Sequence, residues 1–204
     1  YDAALFGAGG IDHRTPEEIS AMPLLQGLRQ RLDLFANVRP CKLIAPELTP
    51  LKNKTVDDIN FTVIRENTEG YEYGTGGNYK IGSEDEVEIR PEYNTYKGVK
   101  RVIEFAFDYA RKEGRTSVHM AEKGMPKGLW SRVFEEVSAK NTAIQPIHMR
   151  VDTLAYMMVV APETLQVVVG ENQIGNVLSD IGGEVQGSRS PRDLQRPDHS
   201  RHWW

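Results

Sequence analysis

The chain of 204 residues reads as an α/β protein built on a layered sheet, and three observations predict it. From residue 97 onward, segments with apolar residues at helical spacing alternate with short β-branched runs, as when strands connect through helices into a parallel sheet. Between 70 and 91 that pattern lapses into Tyr, Gly and acidic residues with brief alternating pieces such as VEIR, predicting an exposed β hairpin or arm. A hydrophobic content of 39% suffices for one good core and a second small lobe, and no apolar run approaches membrane length.

Taken in order, Ala3 to Gly7 reads as a buried strand emptying into the turn GAGG at 7–10, whose glycine spacing is wrong for a dinucleotide fingerprint. Thr15, Pro16 and Glu18 form a capping box with Pro at the first helical position. Pro23 divides the following pattern into a short helix and a longer one carrying Leu24, Leu25, Leu28 and Leu32. Within LRQRLDLFANVRP, at 28–40, this amphipathic run gives way to an extended run stopped by Pro40. Asp58 to Arg65 (DINFTVIR) is a strand that delivers Arg65 at its end.

Lys97 to Lys112 is the clearest helix, with Val99, Val102, Ile103, Phe105, Ala106 and Tyr109 at helical spacing and Gly114 ending it. Thr116 to Met120 is a strand, and Leu129 to Ser138 a helix with Trp130, Val133, Phe134 and Val137 on its inner face. Ile144 to Met149 is a strand and Asp152 to Val160 a largely apolar helix. Gln166 to Gly170 is a strand, followed by a helix from Gln173 to Ile181 ending in Gly182-Gly183. In such a domain ligands collect at the carboxyl ends of strands, where Arg65, Asp152 and Asn172 fall.

Lys and Arg total 25 against 29 Asp and Glu, so the chain has no general attraction for nucleic acid or an anionic membrane. An acidic ligand must be captured by local basic groups. Arg29 and Arg39 bracket the helix-to-strand change at 28–40, and each guanidinium is a rigid fork that matches a carboxylate two bonds at a time. The acidic run Glu84 to Glu88 is a solvated edge rather than a metal site. The single Cys41 rules out an internal disulfide, reads as a small buried hydrophobe, and suits a reducing compartment such as the cytoplasm or mitochondrial matrix. The opening at Tyr1 leads us to expect sequence upstream, and RSPRDLQRPDHSRHWW at 189–204 has a basic, aliphatic-poor composition that should not pack.

Four segments, LRQRLDLFANVRP, VIRENTEG at 63–70, YKGVKRVIEFAFDYAR at 96–111 and VVVGENQIGNVLSDIGGEVQGS at 167–188, together resemble the isocitrate/isopropylmalate/tartrate dehydrogenase family in order and spacing. The resemblance implies NAD- or NADP-dependent, Mg²⁺- or Mn²⁺-assisted oxidation and β-decarboxylation of a 2-hydroxy acid by a homodimer with composite active sites. It implies that 1–34 is a remnant of the nucleotide-binding domain and 35–188 the substrate and dimerisation domain. The arm at 70–91 would pair with its twin across the dimer. The family's cofactor-binding loop has no counterpart, so no cofactor-binding residue is assigned.

By the same resemblance, Arg29, Arg39 and Arg65 match the arginines that grip the malate-like carboxylates, and Asp152, Asn176 and Asp180 match metal-site positions, Asp152 serving the partner subunit. Asn176 stands where the family has an aspartate, and its amide brings no charge to a metal. Glu72 stands where the family has a tyrosine, making Tyr71 and Tyr73 the candidate proton donors, although strand alternation would aim both at the opposite face. Met120 stands where the family has a lysine, with Lys123 and His119 the nearby alternatives. Loss of a general base typically costs about 10²- to 10⁴-fold in rate, or about 3 to 5 kcal/mol of barrier.

Pro23, Leu24 and Leu25 lie where the isocitrate enzymes place polar residues, an apolar wall that favours an isopropylmalate, tartrate or D-malate type of substrate. Two expectations follow. One is an oxidoreductase acting on a small di- or tricarboxylate, with this chain alone inactive. The other is a catalytically silent or regulatory relative that binds a carboxylate or a homologous subunit, and where no acid binds, a dimerising module with no small-molecule role.

Overall fold

The computed structural model describes Leu5 and residues 21–73, 76–124 and 127–187. The strand expected over 3–7, the turn at 7–10, the capping box at Thr15 and the tail at 189–204 lie outside these apart from Leu5. A five-stranded sheet runs β1 (Ala36–Lys42), β2 (Asn60–Glu66), β7 (Val167–Gly170), β5 (Ser117–Glu122) and β6 (Gln145–Arg150) across its width. The last four are mutually parallel, and β1 is an antiparallel edge strand.

Alternation on the buried strands separates two cores. Ile64, Val118, Met120, Val167 and Val169 face α2 (Tyr96–Lys112) and α3 (Leu129–Ser138), packing on Val99, Val102, Ile103, Phe107, Trp130, Val133 and Phe134. Phe61, Val63, Ala121 and Val168 face α4 (Val151–Val160) and α5 (Asn172–Val185), packing on Leu154, Met158 and Leu178. The product is a three-layer α/β/α sandwich whose central strands are buried on both faces, as parallel sheets require. Helix α2 is capped by Thr95, whose side chain accepts from the Gly98 N–H.

In the expected arm, β3 (Gly77–Tyr79) and β4 (Val87–Ile89) pair as an antiparallel ribbon with every residue exposed, and Glu84 to Glu88 are all exposed too. Among the described residues no helix is long and apolar enough to cross a membrane.

Helix α1 is described over Ala21–Arg31 with Pro23 in its first turn, where a proline lacks no intrahelical partner, and the shorter helix expected before it lies outside the described residues. Two sequence expectations are corrected. Strand β1 passes through Pro40 to Lys42, because an edge strand has one side without ladder partners where a missing N–H costs nothing. Helix α5 continues through Gly182-Gly183 to Val185. Gly182 is there for proximity rather than termination, since a Cβ would collide with Cys41 Sγ and lie 3.3 Å from the Phe61 ring.

Candidate functional site: an arginine cluster at the edge of the sheet

Three elements bring three guanidiniums together. Arg29 lies in the last turn of α1, Arg39 on β1 and Arg65 on β2. The corner from α1 into β1 turns through Asp33 in the left-handed region (φ 49°) and is braced by Arg101, whose Nη1 donates to both Asp33 carboxylate oxygens at 2.9 and 2.7 Å. In the β1–β2 ladder Arg39 stands opposite Val63 and Asn37 opposite Arg65. Arg39 and Arg65 therefore share the sheet face with Val63, toward α5.

Helix α5 supplies their partners from one face. Asn172, Asn176, Ser179 and Asp180 recur at i, i+4, i+7 and i+8, so they form a stripe along the helix. Arg65 Nε donates to Asn172 Oδ1 at 3.2 Å, Nη2 also reaches Asn172 Oδ1, and Nη1 donates to Asn176 Oδ1. Arg39 Nη1 donates to Asn176 Oδ1 at 3.3 Å, to Ser179 Oγ and to Asp180 Oδ1 at 3.4 Å, while its Nε donates to Asn37 Oδ1 at 3.3 Å. This intimacy depends on Gly175, where a Cβ would lie 2.8 Å from Arg65 Cβ and 2.9 Å from its Cα.

Glu72 closes the cluster. Its Oε1 accepts from Arg65 Nη2 at 2.7 Å, and its Oε2 lies 4.0 Å from Arg29 Nη1. Residues 71–73 form a 3-10 turn rather than a strand, so strand alternation does not apply there. Glu72 turns to the arginines and Tyr71 to Arg90, while the Tyr73 hydroxyl is buried without a hydrogen-bond partner among the described residues. Burial lowers the pKa of both Arg39 and Arg65. Repulsion within the cluster adds to the shift, Arg29 acting on both, while Glu72 opposes it. The cluster thus holds like charge together against desolvation.

The other predicted residues gather elsewhere. Met120 has no exposed surface and points into the core beneath α2 and α3. His119 is buried too, and desolvation lowers its pKa. Lys123 directly follows β5, and its Nζ lies 3.7 Å from Asp152 Oδ2 at the start of α4, both side chains being more than half exposed. Arg150 Nε adds a contact to Asp152 Oδ1 at 3.4 Å, and the residue's own backbone N–H, with smaller help from Lys123 and Arg150, lowers the Asp152 pKa. Lys123 also lines a cleft of about 540 Å³ with Glu122, Trp130, Glu171 and Ile174.

The residues of one chain do not fit a divalent ion. Among the described residues no three His, Cys, Asp or Glu side chains converge. Asp180 is exposed, Asn176 has its amide oxygen committed to two guanidiniums, and Asp152 pairs with Lys123 at the end of another strand.

Sequence reading named Glu72 only as a substitution and overlooked Asn37 and Ser179. The helical spacing of Asn172, Asn176 and Ser179 could have found the α5 stripe, but nothing local marks Glu72 as an arginine partner.

Comparison with known proteins places the chain in a family. The family model described as isocitrate/isopropylmalate dehydrogenase matches residues 1–189. The chain is 37% identical over 190 residues to a 3-isopropylmalate dehydrogenase of Corynebacterium jeikeium, covering 92% of this chain and 56% of that protein. It is 36% identical to a probable tartrate dehydrogenase/decarboxylase of Bacillus subtilis and 33% identical to a decarboxylating D-malate dehydrogenase of Escherichia coli, each over 92% of this chain and 53% of the relative. It thus spans about half the length of these curated relatives. Among solved structures, the isocitrate dehydrogenase of Methylococcus capsulatus superimposes with a TM-score of 0.74 at 31% identity, over 85% of this chain and 51% of that one. By its motifs, its layered fold and this match across nearly its whole length, the chain belongs to the isocitrate/isopropylmalate dehydrogenase family.

Proposed function

We propose that this chain binds a small malate-type dicarboxylate at Arg29, Arg39 and Arg65, as the substrate-holding part of an NAD(P)-dependent oxidative decarboxylation. The observation that carries this is the convergence of three guanidiniums from α1, β1 and β2, two of them with pKa values lowered chiefly by burial and further by Arg29. The forks would anchor the carboxylate that stays while its neighbour leaves as carbon dioxide. Names among the relatives, isopropylmalate, tartrate and D-malate dehydrogenase, support that substrate class.

Catalysis asks more than one chain offers. Lys123 and Asp152 sit together at the ends of β5 and β6, apart from the arginines, and would serve the site of a second copy in a homodimer or homologous hetero-oligomer. There Asp152 would join Asp180, and Asn176 if its amide were freed, to hold Mg²⁺ or Mn²⁺, which would supply a Lewis acid for the substrate hydroxyl.

A second reading is a catalytically silent relative that retains carboxylate or subunit binding. The burial of Met120 favours it, because that side chain is part of the core and offers no base. Calorimetric titration with D-malate, tartrate, isopropylmalate and isocitrate tests both. The expected result is saturable binding that weakens at least about tenfold in Arg39→Ala. Failure of every acid to bind a folded chain would overturn carboxylate binding. Reduction of NAD⁺ or NADP⁺ at 340 nm with Mn²⁺ separates the enzyme from the silent relative.

A further inference from the structure

The arginine cluster already contains a carboxylate. Glu72 places one oxygen 2.7 Å from Arg65 and the other 4.0 Å from Arg29, dividing itself between two guanidiniums as a bound organic acid would. The two arginine side chains it covers are 11% and 2% exposed, whereas that of Glu72 is 29% exposed. Glu72 also lines a cleft of about 450 Å³ with Gln26, Tyr71, Asn78, Glu88 and Arg90, and none of the three cluster arginines is among its described walls. Glu72 therefore stands between that cleft and Arg29 and Arg65. Arg39 is the more accessible, with a side chain 29% exposed, and faces the uncharged Asn37, Asn176 and Ser179 and the exposed Asp180.

We propose that Glu72 is an internal counter-anion that sets the charge of the ligand this site accepts. The idea rests on the carboxylate-binding reading above. With Glu72 in place, three arginines are offset by Glu72 and Asp180, and Arg39, the most exposed of the three and held mostly by neutral partners, suits a single carboxylate. A dicarboxylate occupies Arg29 and Arg65 only by displacing Glu72. That displacement is costly because Glu72, fixed on the turn at 71–73, competes intramolecularly and is not diluted away. The native chain thus discriminates little between a monoanion and a dianion of similar shape, and removing the Glu72 charge restores a preference for the dianion.

The test is titration of the full chain with D-lactate and D-malate, in the native form and in Glu72→Gln. Native affinities for the two acids should be similar. In Glu72→Gln, D-malate should bind roughly ten- to a hundredfold tighter, as expected for release of a charge-assisted pair, while D-lactate changes less than about threefold. Equal tightening of both acids, or none for D-malate, overturns the proposal. Binding of neither acid to either folded form overturns the carboxylate-binding reading and this inference with it, whereas native binding unaffected by Glu72→Gln overturns this inference alone. Should Glu72→Gln fail to fold, Glu72→Ala is titrated in its place. In the native chain, nitrogen-15 spectra should show the Arg65 Nε–H resonance moving on addition of saturating D-malate and staying put with D-lactate, and the reverse pattern would also sink the idea.

Discussion

The amide oxygen of Asn176 accepts from Nη1 of Arg65, and the same oxygen accepts from Nη1 of Arg39 at 3.3 Å. One neutral acceptor thus ties the two strand arginines to α5, and no lone pair is left pointing at a cation. A carboxylate at this position has about four acceptor sites and could serve both guanidiniums and a metal. In Asn176→Asp, Mn²⁺ binding followed by electron paramagnetic resonance should tighten by about tenfold or more, since ligand charge governs affinity for hard cations. Asn176→Ala should instead cost about 1 to 3 kcal/mol in urea unfolding, because donors of two charged groups lose their acceptor.

How much of this was legible beforehand differs by element. The cores declared themselves: Val99, Val102, Ile103 and Ala106 carry the helical period, and VVV at 167–169 is the continuous apolar run of a strand buried on both faces. Pro40 and Gly182 were misread because their meaning is tertiary. One is tolerated by an edge position and the other required by Cys41 and Phe61, which approach from other elements. Glu72 was obscured by a wrong period, since alternation was assumed where the chain makes a 3-10 turn. The partners of Arg65 lie 7, 107 and 111 residues away, and only the spacing within α5 hints at them.

Cys41 should be chemically silent in the native state. It is 2% exposed beneath Gly182, and burial pushes its thiol up to about 12, with Arg39 opposing. Thiolate, the reactive form, is therefore scarce at pH 8. Ellman's reagent should give no colour with folded protein and one equivalent in urea. Because the folded pKa is raised, the stabilising contribution is fully present below the unfolded value near 9.0 and disappears as pH climbs toward 12. Native protein should lose more stability over that window than Cys41→Ala, measured by chemical unfolding at pH 8 and 10.5.

His119 is 2% exposed on β5, and its Nδ1 finds no partner among the described residues. Desolvation lowers its pKa below 6.5, so the folded protein keeps it neutral while the unfolded chain takes up a proton. The contribution is intact above the unfolded pKa and is lost as pH falls below about 6.5, by up to about 1.4 kcal/mol per pH unit. His119→Leu should flatten the stability profile between pH 7 and pH 5. An unchanged slope would mean that the imidazole is protonated in the folded state after all.

Two glycines of α5 should respond oppositely to the same substitution. At Gly175 a new Cβ would press on Arg65 Cβ and Cα at 2.8 and 2.9 Å, atoms of a strand buried on both faces, so α5 must shift away from β2. Overpacking of this kind costs about 1 to 3 kcal/mol, more than the gain of up to about 1 kcal/mol from replacing a helical glycine. The same shift draws Asn172 and Asn176 off Arg65, so Gly175→Ala should lose carboxylate affinity along with stability. At Gly183, the next residue round the helix from the packed Gly182, nothing lies within 4 Å of the added methyl. There only the helical gain remains, and Gly183→Ala should be more stable than native by about 0.5 to 1 kcal/mol with unchanged affinity. Urea midpoints and D-malate titrations of the two variants separate the effects. Equal behaviour would show that α5 is not held against β2 by close approach, and that the arginine cluster does not depend on it.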